Sequence, residues 1–467
     1  MKMWSGRFRQ PLDPDFERWQ RSFDFDRRLL RYELAASGAH ARALKNAGVL
    51  SADELISVLQ GLEQIGERAA ASAAFLDDQE AEDVHHFVEK QLAALIGETG
   101  YKLHSGRSRN EQIATDLRLY VRAAIDQLRQ SLAELCGALA DRAEQAADSA
   151  MPAYTHLQRA EPVLSAHWLL AYVEMFLRDA GRLADCRRRL NLCPLGSGAV
   201  AGATLPLDRG FMAQTLRFDA PTANSIDATS DRDFALEFAN SLSLLALHLS
   251  RWAEEMILFS SEEYGFLVLP EAYSTGSSAM PQKKNPDLLE LVRGKSGRVL
   301  GNATALMVAA KGLPLAYNKD LQETQEPLFD SSDTLLQMLP VVAGWMKAVE
   351  FHRERMQQAA QTGFMNAWAA ATYLVQRGVP SRLAHERIGK AVQMCLERNC
   401  ELKDLSLAEL QSLSPAFDQD FYQSLQLSAV LAIHDVPGGT APARVRQAIN
   451  AARKQIESLR EEVHAHA

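Results

Sequence analysis

Apolar residues recur at alternating steps of three and four from Ala235 through Phe238, Leu242, Leu245, Leu249, Trp252 and Met256 to Phe259. Successive residues of an α-helix advance by about 100° around its axis, so this spacing keeps one helical face apolar. Leu117, Val121, Ile125, Leu128, Leu132, Leu135 and Leu139 form a second stripe, and Leu328, Leu335, Leu339, Val342, Met346 and Val349 a third. Apolar-rich stretches over 166–190 and 288–311 bring the number of long helices to five. Helices of about 25 to 30 residues extend about 40 Å, so the central part of the chain is predicted to be an elongated five-helix bundle. Strand-type alternation is nearly absent, and the predicted fold class is all-α. The stripes are wide for a monomer, which predicts a homo-oligomer that covers part of them.

Three domains are expected: an N-terminal helical domain over 1–107, the long-helix bundle over 108–358, and a C-terminal helical domain over 359–467. In the first, Gly48, Gly61, Gly66 and Gly97 read as breaks between shorter helices, and Asp13-Pro14 and Ser51-Ala52-Asp53-Glu54 read as helix starts. In the last, Pro380, Pro415 and Pro437-Gly438-Gly439-Thr440 read as breaks.

Composition narrows the function classes. With 47% apolar and 23% charged residues the chain is neither disordered nor fibrous. Its 50 basic and 59 acidic residues leave a net charge of −9 with the cations dispersed, which argues against a nucleic-acid partner. No run approaches the roughly 18 apolar residues of a membrane span, and the opening residues lack a signal-type apolar core, so no membrane partner and a cytoplasmic location are expected. Five scattered cysteines read as reduced thiols. Asp83-Val84-His85-His86 resembles a metal motif only loosely, because adjacent histidines leave a helix on different sides; no metal is expected.

Four polar segments interrupt the helices. Gly106-Arg107-Ser108-Arg109-Asn110 leads into a helix start, where two arginines oppose the macrodipole unless an anion sits there. Thr275 to Asp287 places Lys283 and Lys284 before a helix that Asn285 would cap and Pro286 would open, behind a small-residue loop suited to closing over a ligand. Tyr154-Thr155-His156-Leu157-Gln158-Arg159 precedes Glu161-Pro162, read as another proline-started helix, and Tyr317-Asn318-Lys319-Asp320 with Gln322 precedes the fifth long helix. Cations and donors at several helix starts imply a ligand with several carboxylates.

Gly276 to Asn285 resembles the GSSxMPxKxN loop of the fumarase/aspartase superfamily. Together with His104 to Asn110, Tyr154 to Arg159, Ser230-Asp231-Arg232-Asp233, Leu313 to Asp320 and the opening Trp4 to Phe8, it resembles the argininosuccinate lyase branch over essentially the whole chain. The resemblance implies a homotetramer with a twenty-helix core and active sites shared between subunits. It implies reversible cleavage of argininosuccinate to arginine and fumarate in arginine biosynthesis, without a cofactor. Carried over by position, it assigns Ser277 as general base, and Lys283 and Asn285 to the carboxylate that gains charge. His156 becomes the acid-side residue, paired with Glu290 two turns into the following helix. Ser22, Arg109, Asn110, Thr155, Tyr317 and Gln322 become substrate contacts, with Arg107, Asp26, Asp83, His85 and Arg232 in support. The chain departs from the family at Gln325, where a lysine usually stands to bind a substrate carboxylate. That departure leaves open a related lyase that releases fumarate from another N-substituted aspartate.

Overall fold

The computed structural model describes residues 10–466 and is built mainly of α-helices. The Trp4 to Phe8 motif lies outside the described residues. The longest helices are α1 (Leu30–Asn46), α2 (Ala52–Ala71), α3 (Val84–Ile96), α4 (Arg109–Gln145), α5 (Ser165–Leu190), α6 (Asp233–Ser260), α7 (Asp287–Ala310), α8 (Gln325–Ala348), α9 (Ser381–Arg398) and α10 (Pro442–His466). Helices α4 to α8 are the five read from the apolar stripes. Leu117 to Leu139 of the α4 stripe, Ala235 to Phe259 of the α6 stripe and Leu328 to Val349 of the α8 stripe are all buried.

The chain forms two compact units. One comprises Met1–Gln127, Arg182–Ser243 and Arg298–Thr334, the other Leu128–Gly181, Leu244–Gly297 and Leu335–Ala467. In the first, Tyr120 of α4 meets Phe329 of α8 edge to face, with ring centroids 4.9 Å apart. In the second, Trp252 of α6 and Trp345 of α8 are fully buried and cross at 89° with centroids 5.2 Å apart. Such aromatic pairs contribute about 0.5–1.5 kcal/mol beyond the area they bury.

Two local readings change. Gly61 and Gly66 do not break a helix; they lie inside α2, and a Cβ on Gly61 would come within 2.6 Å of Leu92 Cδ1. Glycine there lets α2 approach α3 closely. Gly48 and Gly97, with φ of +79° and +66°, do end helices, and Ser51 and Glu54 form the expected capping box. The second change is that Tyr154 to Pro162 precede no proline-started helix. Strands β1 (Ala150–Thr155) and β2 (Gln158–Leu164) pair antiparallel, Pro162 lies opposite Pro152 inside the hairpin, and α5 starts only at Ser165. Further along, β3 (Thr275–Gly276) pairs antiparallel with β4 (Lys284–Asn285). Among the described residues no helix is long and apolar enough to cross a membrane.

Candidate active site

In the first unit, the polar start of α4 packs against α1 and α3. Arg109 Nη1 donates to Asp83 Oδ2 at 2.9 Å and Glu82 Oε2 at 3.2 Å. Arg107 Nη1 donates to Ser37 Oγ at 2.8 Å and lies 3.8 Å from Glu33 Oε1. The two arginines at the helix start therefore face protein carboxylates, which offset their opposition to the macrodipole. Burial works to raise Asp83, but Arg109 and His85 outweigh it and hold its carboxyl below the ordinary range. The other oxygen of Asp83 caps α3 by accepting from His86 N at 2.7 Å.

Glu82 gathers several of the expected substrate contacts. Its carbonyl accepts from Ser22 N at 2.9 Å, its carboxylate lies 3.7 Å from Lys319 Nζ, and it accepts from Gln20 Nε2 at 3.2 Å. The carbonyl of Gln20 in turn accepts from Gln322 Nε2 at 3.2 Å. Ser22 Oγ donates to buried Asp26 at 2.6 Å, and burial, with Asp83 beside it, pushes the Asp26 carboxyl up to about 7. Burial also raises the Tyr317 phenol, with Arg232 opposing and Asp83 and Glu82 adding to the rise. Ser22, Arg109, Tyr317 and Gln322 thus share one neighbourhood, and Asn110 stands beside Arg109 at the start of α4. Gln325 is buried at the first position of α8, and its Oε1 has no hydrogen-bond partner.

Behind this surface His85 and Arg107, two of the expected supporting residues, join a network whose Glu33, Ser37, Gln112 and Asp116 sequence reasoning missed. Glu33, fully buried, accepts from Ser37 Oγ at 2.6 Å, His85 Nδ1 at 2.8 Å and Gln112 Nε2 at 3.1 Å. Burial pushes Glu33 up, but His85 and Arg107 outweigh it and hold the carboxyl at about 2. Asp116 lies 3.8 Å from His85 Nδ1, and burial, with Glu33 nearby, raises its carboxyl well above the ordinary range. Glu33, His85 and Asp116 offer ligand atoms within 4.8 Å of one another, a spacing a metal could use. Here, however, Ser37, His85 and Gln112, the last reaching both oxygens, already donate to the Glu33 carboxylate. His85 and His86 do turn apart, His86 Nδ1 accepting from Glu82 N at 3.2 Å. The available signal was a Glu33/Ser37 pair one turn apart in an otherwise apolar stretch of α1.

In the second unit, the β3–β4 ladder closes the neck of a loop that begins at Ser277 and ends at Lys283, both next to the ladder. Ser277 Oγ accepts the backbone N–H groups of Ala279 at 3.2 Å and Met280 at 3.1 Å. Two amide donors on one hydroxyl oxygen favour negative charge there, as in an oxyanion site. Asn285 does not cap the next helix. It belongs to β4, and its amide donates to Thr275 Oγ1 at 3.4 Å and Gly276 O at 3.3 Å, bracing the neck. The helix begins at Asp287, with Pro286 O accepting from Glu290 N at 3.1 Å, so Glu290 lies in the first turn and not two turns along. Lys283 is exposed, whereas Lys284 Nζ donates to Leu269 O at 3.2 Å.

His156 and Leu157 form the two-residue tip of the β1–β2 hairpin, with φ of 55° and 56°, between Thr155 and its partner Gln158. Such turns favour Asn and Gly because both residues take left-handed backbone. A histidine and a leucine held there, with Leu157 65% exposed, mark a strained turn that presents His156 and Thr155 to solvent. Within one chain His156, Ser277 and Glu290 make no hydrogen bond to one another among the described residues.

The fold, the Ser277 loop and the arginine-bearing helix start define a lyase of the fumarase/aspartase superfamily, and residues 6–301 match the lyase family model. Residues 364–432 match the model described as argininosuccinate lyase C-terminal. The chain is 62% identical over 467 residues to the argininosuccinate lyase of Koribacter versatilis, covering 100% of both, and 59% identical to that of Acidobacterium capsulatum, covering 98% and 96%. It therefore belongs to the argininosuccinate lyases. Among solved structures it resembles EDDS lyase in complex with formate, with a TM-score of 0.86 at 26% identity over 98% of this chain and 92% of that one. The 3-carboxy-cis,cis-muconate lactonizing enzyme of Pseudomonas putida shares the fold, with a TM-score of 0.74 at 22% identity over 95% and 100%.

Proposed function

We infer that this carbon–nitrogen lyase reversibly eliminates argininosuccinate to arginine and fumarate, with Ser277 as the base. The observation that carries the residue assignment is the pair of backbone N–H groups on Ser277 Oγ. A serine hydroxyl is a poor base unless its alkoxide is stabilised, and those donors, with Lys283 on the same loop, supply the stabilisation. The alkoxide removes the proton next to a substrate carboxylate, the carbon–nitrogen bond breaks, and the guanidino nitrogen leaves with a proton from the His156 side. Lys283 and Asn285 face the carboxylate that gains charge, while Arg109, Asn110, Thr155, Tyr317, Gln322 and Ser22 hold the rest of the substrate. No cofactor enters this scheme.

Because His156, Ser277 and Glu290 do not meet within one chain, the working site takes them from different copies in a homotetramer. Helix α7 supports this reading. It exposes Leu291, Leu300, Met307 and Val308, and Cβ atoms on Gly294, Gly297 and Gly301 would meet nothing within 4 Å, leaving room for another helix to pack closely. Glu290 of a neighbouring subunit would then pair with His156.

The test is fumarate release, followed by ultraviolet absorbance, from argininosuccinate and from a panel of other N-substituted aspartates. Fast turnover of argininosuccinate alone supports the assignment. Preference for another N-substituted aspartate would keep the chemistry and replace the substrate, and neutral, buried Gln325 is the observation that favours this second reading. Gln325→Lys is accordingly expected to lower KM for argininosuccinate by an amount worth about 1–3 kcal/mol, the gain of a charged over a neutral hydrogen bond. An unchanged or higher KM would show that the site binds that carboxylate without position 325.

A further inference from the structure

A cavity of about 530 Å³ lies in the second unit at the base of the β1–β2 hairpin whose tip carries His156. Ala150 and Pro162 of the paired strands form one side of it. Much of the opposite side, from Asn366 to Leu431, falls within the 364–432 stretch that matches the argininosuccinate lyase C-terminal model. Residues on either side of that stretch grip the hairpin elsewhere. Arg159 Nη1 donates to Thr362 Oγ1 at 2.9 Å and to Ala359 O at 3.3 Å, His434 Nε2 lies 3.4 Å from Glu161 Oε1, and Thr440 Oγ1 accepts from Leu164 N at 2.8 Å. Anything filling the cavity therefore bears on strands that set the position of His156.

The lining carries two carboxylates, Asp148 and Glu401, the latter already accepting the backbone N–H groups of Gly363 at 3.4 Å and Asp404, one ammonium, Lys403, and an apolar wall that includes Leu425 and Leu431. Asp148 and Lys403 are exposed and have no side-chain partner among the described residues. The Oδ1 of Asn366, also in the lining, is buried without a hydrogen-bond partner. Carboxylates and an orphan amide oxygen call for a ligand rich in N–H donors, the ammonium calls for a carboxylate, and the apolar wall suits methylenes between them. A guanidinium offers five N–H donors against three for an ammonium, which fits the excess of acceptors. The volume lies within the range of about 300–1,000 Å³ typical of small-molecule sites.

We propose that this cavity is a regulatory site for a basic α-amino acid, L-arginine being the one that the enzyme's own reaction releases. The proposal rests on the lyase reading above. Arginine bound here shifts the base of the hairpin and takes His156 out of productive geometry, so product accumulation slows turnover; misplacements of about 1 Å can cost about 100-fold in rate.

Equilibrium dialysis of the full-length protein against radiolabelled L-arginine is expected to find two sites per chain, and the double variant Asp148→Asn, Lys403→Ala to retain one. Neither side chain has a partner to lose, so the variant keeps its arginine-free kcat. At saturating argininosuccinate, where product no longer competes for the catalytic site, added L-arginine should still lower kcat several-fold in the native enzyme and leave the variant unaffected. One arginine per chain, or inhibition that vanishes at saturating substrate, overturns the cavity site and leaves the lyase assignment intact. Failure to release fumarate from argininosuccinate overturns the lyase reading instead, while dialysis still counts the arginine sites.

Discussion

Ser277→Ala is expected to lower turnover of argininosuccinate by about a hundred- to ten-thousand-fold, the usual contribution of a positioned general base, while the substrate still binds. The neck of the loop does not depend on the serine side chain, because the β3–β4 ladder and the Asn285 amide hold it. The variant loses the oxygen on which the N–H groups of Ala279 and Met280 converge, and with it the proposed proton acceptor. Titration calorimetry with argininosuccinate should show binding within a few-fold of the native protein, and single-turnover fumarate absorbance should show almost no product. Near-native turnover would remove Ser277 as the base and move attention to another group on the loop.

Glu33→Leu should be the most damaging change away from the reacting atoms, costing about 3–5 kcal/mol of stability at neutral pH. Removing one partner of a buried ion pair leaves the other charge without compensation. Glu33 is the common acceptor for His85, Ser37 and Gln112 and lies close to Arg107, so its loss strands cationic groups between α1, α3 and α4. The sign of the pH dependence follows from the depressed carboxyl. Its folded value of about 2 lies below the ordinary 4.5, so its contribution is present above about 4.5 and is lost as pH falls through about 2. Urea unfolding midpoints of the two proteins should therefore differ most near pH 7 and converge as the pH is lowered from about 4.5 toward 2. A difference that stays constant over that range would mean that packing, and not charge, makes Glu33 important. The same substitution should raise KM more than it lowers kcat, because Arg109 and Asn110 at the adjoining helix start are the residues proposed to hold the substrate.

The readings that survived intact rest on local spacing. The stripes of α4, α6 and α8 are set by helical periodicity, and burying a continuous apolar face is the dominant favourable term, so their burial followed from the residues alone. The capping box of Ser51 and Glu54 is equally local. The His156 hairpin was hidden because its turn residues, His and Leu, are not the Asn and Gly such turns favour, and Pro162 suggested a helix start. Asn285 was misplaced for a related reason: beside Pro286 it has the chemistry of a helix cap, but pairing with Thr275 across the loop's neck drew it into a strand.

The amino-acid sequence by itself determined the all-α class, the long helices and the family, because periodicity and contiguous motifs act over a few residues. Only the tertiary structure decided that Arg107 and Arg109 answer to Glu33, Glu82 and Asp83, that Ser277 sits under two amide donors, and that a polar cavity underlies the hairpin of His156. The Ser277 contacts are local, but the arginine pairs and the cavity bring together residues far apart along the chain, and electrostatic and hydrogen-bond energies depend on separations that no local pattern encodes.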